Sequence, residues 1–140
     1  MPDNRTVTAT IGRDAYRTEL KTSAHSIQAD EPAEDGGKNA GPTPGDLLRM
    51  SVASCTAITL RMYADRKKWE VDQIQVTVSN EKKQYKTVFK CVISVSGVLS
   101  EDQRKRLVEI AHACPVHKVL SNPIEIETKM ALQPMPIAES

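Results

Sequence analysis

Three cysteines and three histidines carry most of the nucleophilic and metal-binding chemistry open to this chain of 140 residues. Cys55 lies in the uncharged run MSVASCTAITL, Cys91 in FKCVISV and Cys114 in AHACPVHKVL. A thiol does nucleophilic chemistry as its thiolate, and burial among apolar groups opposes that ionisation, so a reactive cysteine needs a nearby cation. Cys55 falls mid-helix, where the helix dipole gives little help. Its cation must come from elsewhere in the fold. Cys55 and Cys114 are each expected on the inner face of a helix. Two packed helices can bring such residues to the Cα separation of about 4.4–6.8 Å that a disulfide needs, but nothing in the spacing requires it. Cys91, flanked by apolar residues, reads as packing. Cys114 and His117 are three apart with His112 close by, yet no second pair completes a tetrahedral zinc set, so no metal is expected. His117 is expected to order the helix end or to sit beside the Cys114 sulfur. His25 stands in a predicted turn and reads as solvated. Gly36-Gly37 has no helix behind it at phosphate-loop spacing.

The element that positions Cys55 is predicted over Thr43–Trp69. Thr43 caps, Pro44 suits the first helical position, and Asp46 closes a capping box. The eleven residues between Arg49 and Arg61 carry no charge. A helix apolar on every side is a buried one, and this run is shorter than the about 20 residues that span a bilayer. Upstream, residues 5–11 and 15–21 alternate as a hairpin around Gly12-Arg13-Asp14, with a further short strand at Ser26–Ala29. Residues 30–45, dense in Gly, Pro and Asp, read as an ordered loop. Downstream, Val71, Ile74, Val76 and Val78 mark one strand and residues 85–98 another, joined by the charged turn SNEKKQ. Ser100 and Gln103 open a second helix by a capping box. Leu107, Ile110, Ala111 and Cys114 form its inner face, and Pro115 ends it. A short helical piece at 116–121 leads to a closing strand, IEIETKMAL. The expected organisation is one α+β domain over 1–140. It comprises a hairpin region (1–29), a loop (30–45), a central helix (46–69), a hairpin–helix–strand segment (70–132) and a loose tail (133–140).

Composition narrows the function classes. A net charge of +1 with interleaved acids and bases gives no footprint for nucleic acid or membrane, and stacking aromatics are scarce. An RNA-binding reading is set aside on that ground. The N-terminus shows no secretory pattern, and an odd cysteine count does not suit a secreted disulfide framework. A cytoplasmic setting with reduced thiols is expected. One Phe, one Trp and three Tyr are few for a core of this length; an oligomer sharing its core would answer that shortage.

The segments DEPAEDGGKNAGPTP, LLRMSVASCTAITLRMYADRKKW and AHACPVHKVL together resemble the OsmC/Ohr family of thiol-dependent hydroperoxide reductases. The wording is closest to its OsmC-like subgroup. The resemblance implies an intertwined homodimer with active sites at the subunit interface. It implies Cys55 as the peroxidatic cysteine and Cys114 as the resolving one. It also implies an external dithiol reductant and no bound cofactor. The turn ATIGRD is similar to the family's turn bearing the arginine that stabilises the thiolate, which points to Arg13, with Arg17 as second choice. The family's hydroperoxide reductases carry a glutamate after the helix-start proline to orient that arginine. Here Gly45 follows Pro44, and Asp46, one step on, is turned by about 100°.

The function expected from the resemblance is reduction of organic hydroperoxides, as oxidative-stress defence, through a Cys55 sulfenic acid and a Cys55–Cys114 disulfide. Leu48, Met50, Val52 and Ile58 would line an apolar site. The rival reading is a dimeric small-molecule-binding or redox-sensing protein with little peroxidase activity, which Gly45 favours.

Overall fold

The computed structural model describes residues 5–132. Within them the chain forms two compact units, one comprising the described residues up to Leu47 and from Glu127 on, the other Leu48–Ile126. The architecture is α+β, with two antiparallel sheets and three α-helices.

In the first unit, β1 (Thr8–Ile11), β2 (Thr18–Lys21) and β3 (Ser26–Ala29) form an antiparallel sheet in that order. Thr10 pairs with Glu19 and Leu20 with Ile27. The expected hairpin and third strand are present, with shorter strands than the alternation suggested. The loop that follows is fastened on one carboxylate. Asp30 is 2 % exposed. Its Oδ1 accepts the backbone N–H groups of Tyr16 (3.2 Å) and Glu31 (2.7 Å). Its Oδ2 accepts those of Lys38 (3.3 Å) and Ala40 (3.1 Å). Four donors from three chain segments thus converge on one side chain, the kind of satisfaction a buried ion requires. A Cβ on Gly37 would meet the Glu31 carbonyl and the Asp30 carboxylate, so the loop closes around Asp30 only with glycine there. Lys38 also reaches Asp14 (2.6 Å), which draws the Asp14 carboxyl below its usual range.

Helix α1 (Pro44–Lys67) starts as its sequence dictates. The Thr43 hydroxyl accepts the Asp46 N–H, and the Asp46 carboxylate accepts the Thr43 N–H, both at 3.1 Å. The expectation of burial on every side does not hold for this chain by itself. Val52, Thr56, Leu60, Tyr63 and Ala64 are buried, on one face at helical spacing. Leu48, Met50, Ile58 and Met62 are exposed, the last two at 54 % and 67 %. No helix among the described residues is long and apolar enough to cross a membrane.

The second unit is built on the pair β4 (Glu70–Lys83) and β5 (Lys86–Val98). The stretch SNEKKQ is not the turn. Pairing continues through it to Lys83↔Lys86, and the chain reverses at Gln84-Tyr85, with Gln84 at φ 53°. Residues facing each other across the pair keep the period-two pattern whatever their polarity, so charge alone misplaced the reversal. Near the other end the register shifts between Val71 and Gln73. Gly97 lies opposite at φ 138°, where a Cβ would strike the Glu70 carbonyl.

Helix α2 (Glu101–Ala111) has the expected capping box. The Ser100 hydroxyl accepts from the Gln103 N–H (3.1 Å), and the Gln103 side chain accepts from the Ser100 N–H (2.8 Å). Leu60 and Tyr63 of α1 and Leu107 of α2 form the buried core, with Trp69, Ile74, Ile93 and Val95 packed against it. Tyr63 meets Trp69 edge-on (5.4 Å between ring centres), and its hydroxyl accepts from Arg106 Nε (3.2 Å). Arg61 donates to the Val71 and Asp72 carbonyls, and Arg104 to that of Val95. Both helices are thereby tied to the strand pair.

Two expectations are corrected at the end of the chain. α2 stops at Ala111, and Pro115 opens α3 (Pro115–Ser121) rather than merely ending α2. Cys114 therefore caps the start of α3 instead of lying on the inner face of α2. Proline lacks an N–H and suits the first turn of a helix, which gives its position here a second reading. The closing strand IEIETKMAL does not form; residues 123–131 carry no strand pairing. Alternation makes a segment ready to pair, but a ladder also needs a partner edge. The expected loose tail at 133–140 lies outside the described residues.

Asp30 gives a test of the first unit. Burial raises its pKa, yet the four N–H donors outweigh burial and hold the carboxyl below its usual value of 3.8. A depressed carboxylate pKa contributes stability above the unfolded value, and that contribution is lost as pH falls through the folded one. Asp30→Ala is expected to lower the urea midpoint at neutral pH, with the gap to wild type narrowing as the pH drops below 3.8. A gap independent of pH would contradict the ionised hub.

Candidate active site

The packing of α1 on α2 and α3 decides what Cys55 meets. On α1, Cys55 sits one residue before the buried Thr56, at the edge of the core-facing stripe, and is partly buried. Cys114, in the short connection between α2 and α3, is wholly buried at 0 % exposure. Cys114 is a neighbour that acts on the ionisation of the Cys55 thiol. Neither of these two thiols nor Cys91 is joined in a disulfide.

Two further groups act on the Cys55 thiol: the backbone N–H of Val116 and the Thr59 side chain. Thr59 follows Cys55 by four residues on α1, which places both on one side of the helix. The Val116 amide belongs to the first turn of α3, where backbone N–H groups have no helical partner. Neither contact was foreseen. The Cys-Pro pair was the available signal, since proline as the first residue of a helix leaves the next amide free to serve an anion.

The balance on Cys55 favours the thiol. Burial pushes its pKa up from the usual 9.0, and the hydrogen bond and charge of Cys114 push the same way. The Val116 N–H and Thr59 pull it down without overcoming the rise. The groups around the pair within the second unit do not by themselves make a thiolate.

The other expected site residues are distributed as follows. Arg13 lies in the β1–β2 connection, in the first unit, and Arg17 pairs there with Asp14 (3.5 Å). Asp46 stands in the α1 capping box. His117, on α3, meets His112 edge-to-face, with ring centres 5.2 Å apart. Both histidines line a cavity of about 320 Å³ in the second unit, together with Val52, Thr56, Phe89 and Cys91. Cys91 is thus not a packing residue. It projects from the helix-facing side of β5 at the cavity and is exposed. Among the described residues, no three His, Cys, Asp or Glu side chains converge as metal ligands.

A paired buried thiol at this place in an α+β fold has a recognisable setting. The family model of OsmC-like proteins matches residues 36–129. The chain belongs to the OsmC-like family. Solved structures agree in fold. The OsmC-like protein of Mycoplasma pneumoniae superposes with a TM-score of 0.73 at 18% identity, over 86% of this chain and 89% of that one. An organic hydroperoxide resistance protein OsmC of Legionella pneumophila gives 0.56 at 24% identity, over 84% and 88%. An organic hydroperoxide resistance protein of Elizabethkingia anophelis, with thiocyanate bound, gives 0.61 at 20% identity, over 85% and 89%. No curated protein matches the chain in sequence. Membership in the family accounts for the α+β architecture.

The contact between the thiols has a measurable consequence. Cys114→Ala removes two of the influences that hold the Cys55 pKa up. The pH profile of Cys55 alkylation by iodoacetamide, followed by peptide mass spectrometry, is expected to move to lower pH in that variant. An unchanged profile, or one moved upward, would show that the thiols do not interact.

Proposed function

We propose that this OsmC-like protein is a homodimeric cysteine peroxidase that reduces organic hydroperoxides in the cytoplasm. The observation that carries the reading is that Cys55 of α1 has the fully buried Cys114 as a neighbour that acts on its thiol. The partly buried thiol attacks, and the fully buried one waits beside it. In the first step the Cys55 thiolate attacks the outer peroxide oxygen. The O–O bond breaks, the alcohol leaves with a proton, and Cys55 becomes a sulfenic acid. In the second step the Cys114 sulfur attacks the Cys55 sulfur, forming the disulfide and releasing water. An external dithiol then restores both thiols by exchange.

The raised Cys55 pKa means that the first step needs positive charge at the sulfur. Arg13 is the residue proposed to supply it, with Arg17 as the alternative. The Val116 N–H would add its share by stabilising the thiolate. The exposed apolar residues of α1 and residues 123–131, which alternate in sequence but carry no strand pairing, favour a second copy of the chain as partner. Leu48, Met50 and Ile58 would then help to form an apolar site that prefers an alkyl or aryl hydroperoxide to hydrogen peroxide.

A second reading rests on the α1 cap. Gly45 offers no carboxylate, and the Asp46 carboxylate accepts the Thr43 N–H. With glycine rather than a glutamate directly after Pro44, the protein would serve as a redox sensor or small-molecule binder of low turnover.

Steady-state consumption of cumene hydroperoxide and hydrogen peroxide, with dithiothreitol as reductant, separates the two. The peroxidase reading predicts preference for cumene hydroperoxide and abolition by Cys55→Ser. It also predicts a fall of about a hundredfold in Arg13→Ala, the scale of losing one preorganised electrostatic stabiliser. Sedimentation of the same preparation should give a dimer. Wild type as inert as Cys55→Ser would leave the sensor or binder.

A further inference from the structure

The proposed peroxidase cycle uses Cys55 and Cys114, and neither residue lines the cavity of about 320 Å³ in the second unit. Its walls come from four elements of a single chain. α1 contributes Val52 and Thr56, β5 Phe89 and Ile93, α2 Val108, and α3 Leu120. Val52 and Thr56, each 3 % exposed, form its inner end. Thr87, His112 and Ser121 are exposed and stand at its outer end.

Thr56 is the group that packing alone does not explain. A buried hydroxyl is expected to have a hydrogen-bond partner. Among the described residues the Thr56 hydroxyl has none. Yet no side-chain nitrogen or oxygen among them is sealed from solvent without a partner. The remaining access of the Thr56 hydroxyl is therefore to the cavity that it lines. Nearer the outer end, the imidazoles of His112 and His117 meet edge-to-face and likewise make no hydrogen bond among the described residues. The cavity is thus bordered by polar groups with hydrogen-bonding capacity to spare.

The lining selects the ligand. No Asp, Glu, Lys or Arg borders the cavity. An ion taken into it would lose water without gaining a counter-charge, which is costly. A threonine hydroxyl both donates and accepts, and an uncharged imidazole offers one of each. Such groups match an uncharged hydroxyl better than an anion. The rest of the wall is aliphatic apart from the Phe89 ring. Size narrows the class further. An apolar cavity of about 150 Å³ takes benzene, so one about twice as large has room for two fused rings.

We propose that this cavity is a binding site for a small uncharged bicyclic phenol. The ligand hydroxyl bonds to Thr56 at the inner end. Its rings pack against Phe89, Ile93, Val108 and Leu120, and the uncharged polar rim of His112 and His117 lies beyond them. The site stands apart from the peroxidase reading, because neither thiol of that cycle lines it.

The test is a fluorescence titration of 2-naphthol with the reduced, full-length protein. Naphthalene and 2-naphthoate serve as competitors, and no arm reads peroxide turnover, so failure of the peroxidase leaves the result untouched. One 2-naphthol should bind per chain. Naphthalene should compete about tenfold less well, the scale of one net hydrogen bond, and 2-naphthoate less well again. Thr56→Val keeps the shape and removes the hydroxyl, so 2-naphthol should weaken about tenfold there and lose its advantage over naphthalene. Ser121→Phe, at the exposed outer end, should weaken both ligands severalfold while circular dichroism stays as in wild type. If Thr56→Val does not fold, the competition series and Ser121→Phe decide. Absence of 2-naphthol binding at millimolar concentration would overturn the proposal. So would equal binding of naphthalene in wild type, tighter binding of 2-naphthoate, or 2-naphthol binding that Ser121→Phe leaves unchanged.

Discussion

The packing of α1 against α2 through Leu60, Tyr63 and Leu107 is the constraint on which the site depends. Cys55 lies on α1 five residues before Leu60, and Cys114 seven residues after Leu107. Fixing those three side chains against one another fixes where the two sulfurs can be. Arg61 and Arg104 reinforce the arrangement by binding strand carbonyls, so that helices and strand pair hold one geometry. A disulfide is demanding in distance and angle. Two thiols close enough to act on one another's ionisation are candidates for that bond.

The same burial that brings the sulfurs together works against their chemistry. Desolvation raises the Cys55 pKa, and Cys114 raises it further. A dry pair of thiols is a good precursor of a disulfide but a poor nucleophile. The Val116 amide and Thr59 offset part of this from within the unit. The rest must come from a cation, which is why the peroxidase reading depends on an arginine and why the absent carboxylate at Gly45 weighs on it. Pairing and activation are separate achievements of the fold.

How much was legible in the sequence follows from how local each feature is. The two capping boxes, Thr43–Asp46 and Ser100–Gln103, depend on residues three apart, and both form as read. The family and fold were legible because the motifs around Cys55 and Cys114 are long and lie in elements the chain must pack. The β4–β5 reversal at Gln84-Tyr85 was misplaced because a charged segment can pair as well as an apolar one when its ladder partner is present. The strand at IEIETKMAL was expected from alternation, which reports readiness to pair but not the presence of an edge. Cys91 was taken for packing because its neighbours in sequence are apolar, whereas its surroundings are set by a cavity between β5 and the helices. The influence of Val116 on Cys55 depends on helix packing and became visible only in three dimensions, whereas Thr59, four residues on along α1, lay within reach of a reading of the sequence. Asp30 was the least legible, since nothing in the sequence marks it apart from other acids in an acidic loop. Its importance is that four amides meet there.

The most direct test of the central claim is a single turnover. Fully reduced protein receives one equivalent of cumene hydroperoxide without reductant, is quenched with N-ethylmaleimide at short times, and is mapped under non-reducing conditions. If Cys55 and Cys114 are a peroxidatic pair, the first disulfide to appear joins them, with loss of the peroxide in equal amount. If the peroxide remains, or if Cys55 proceeds to sulfinic acid while Cys114 stays alkylatable, the contact between the two thiols is not a catalytic one.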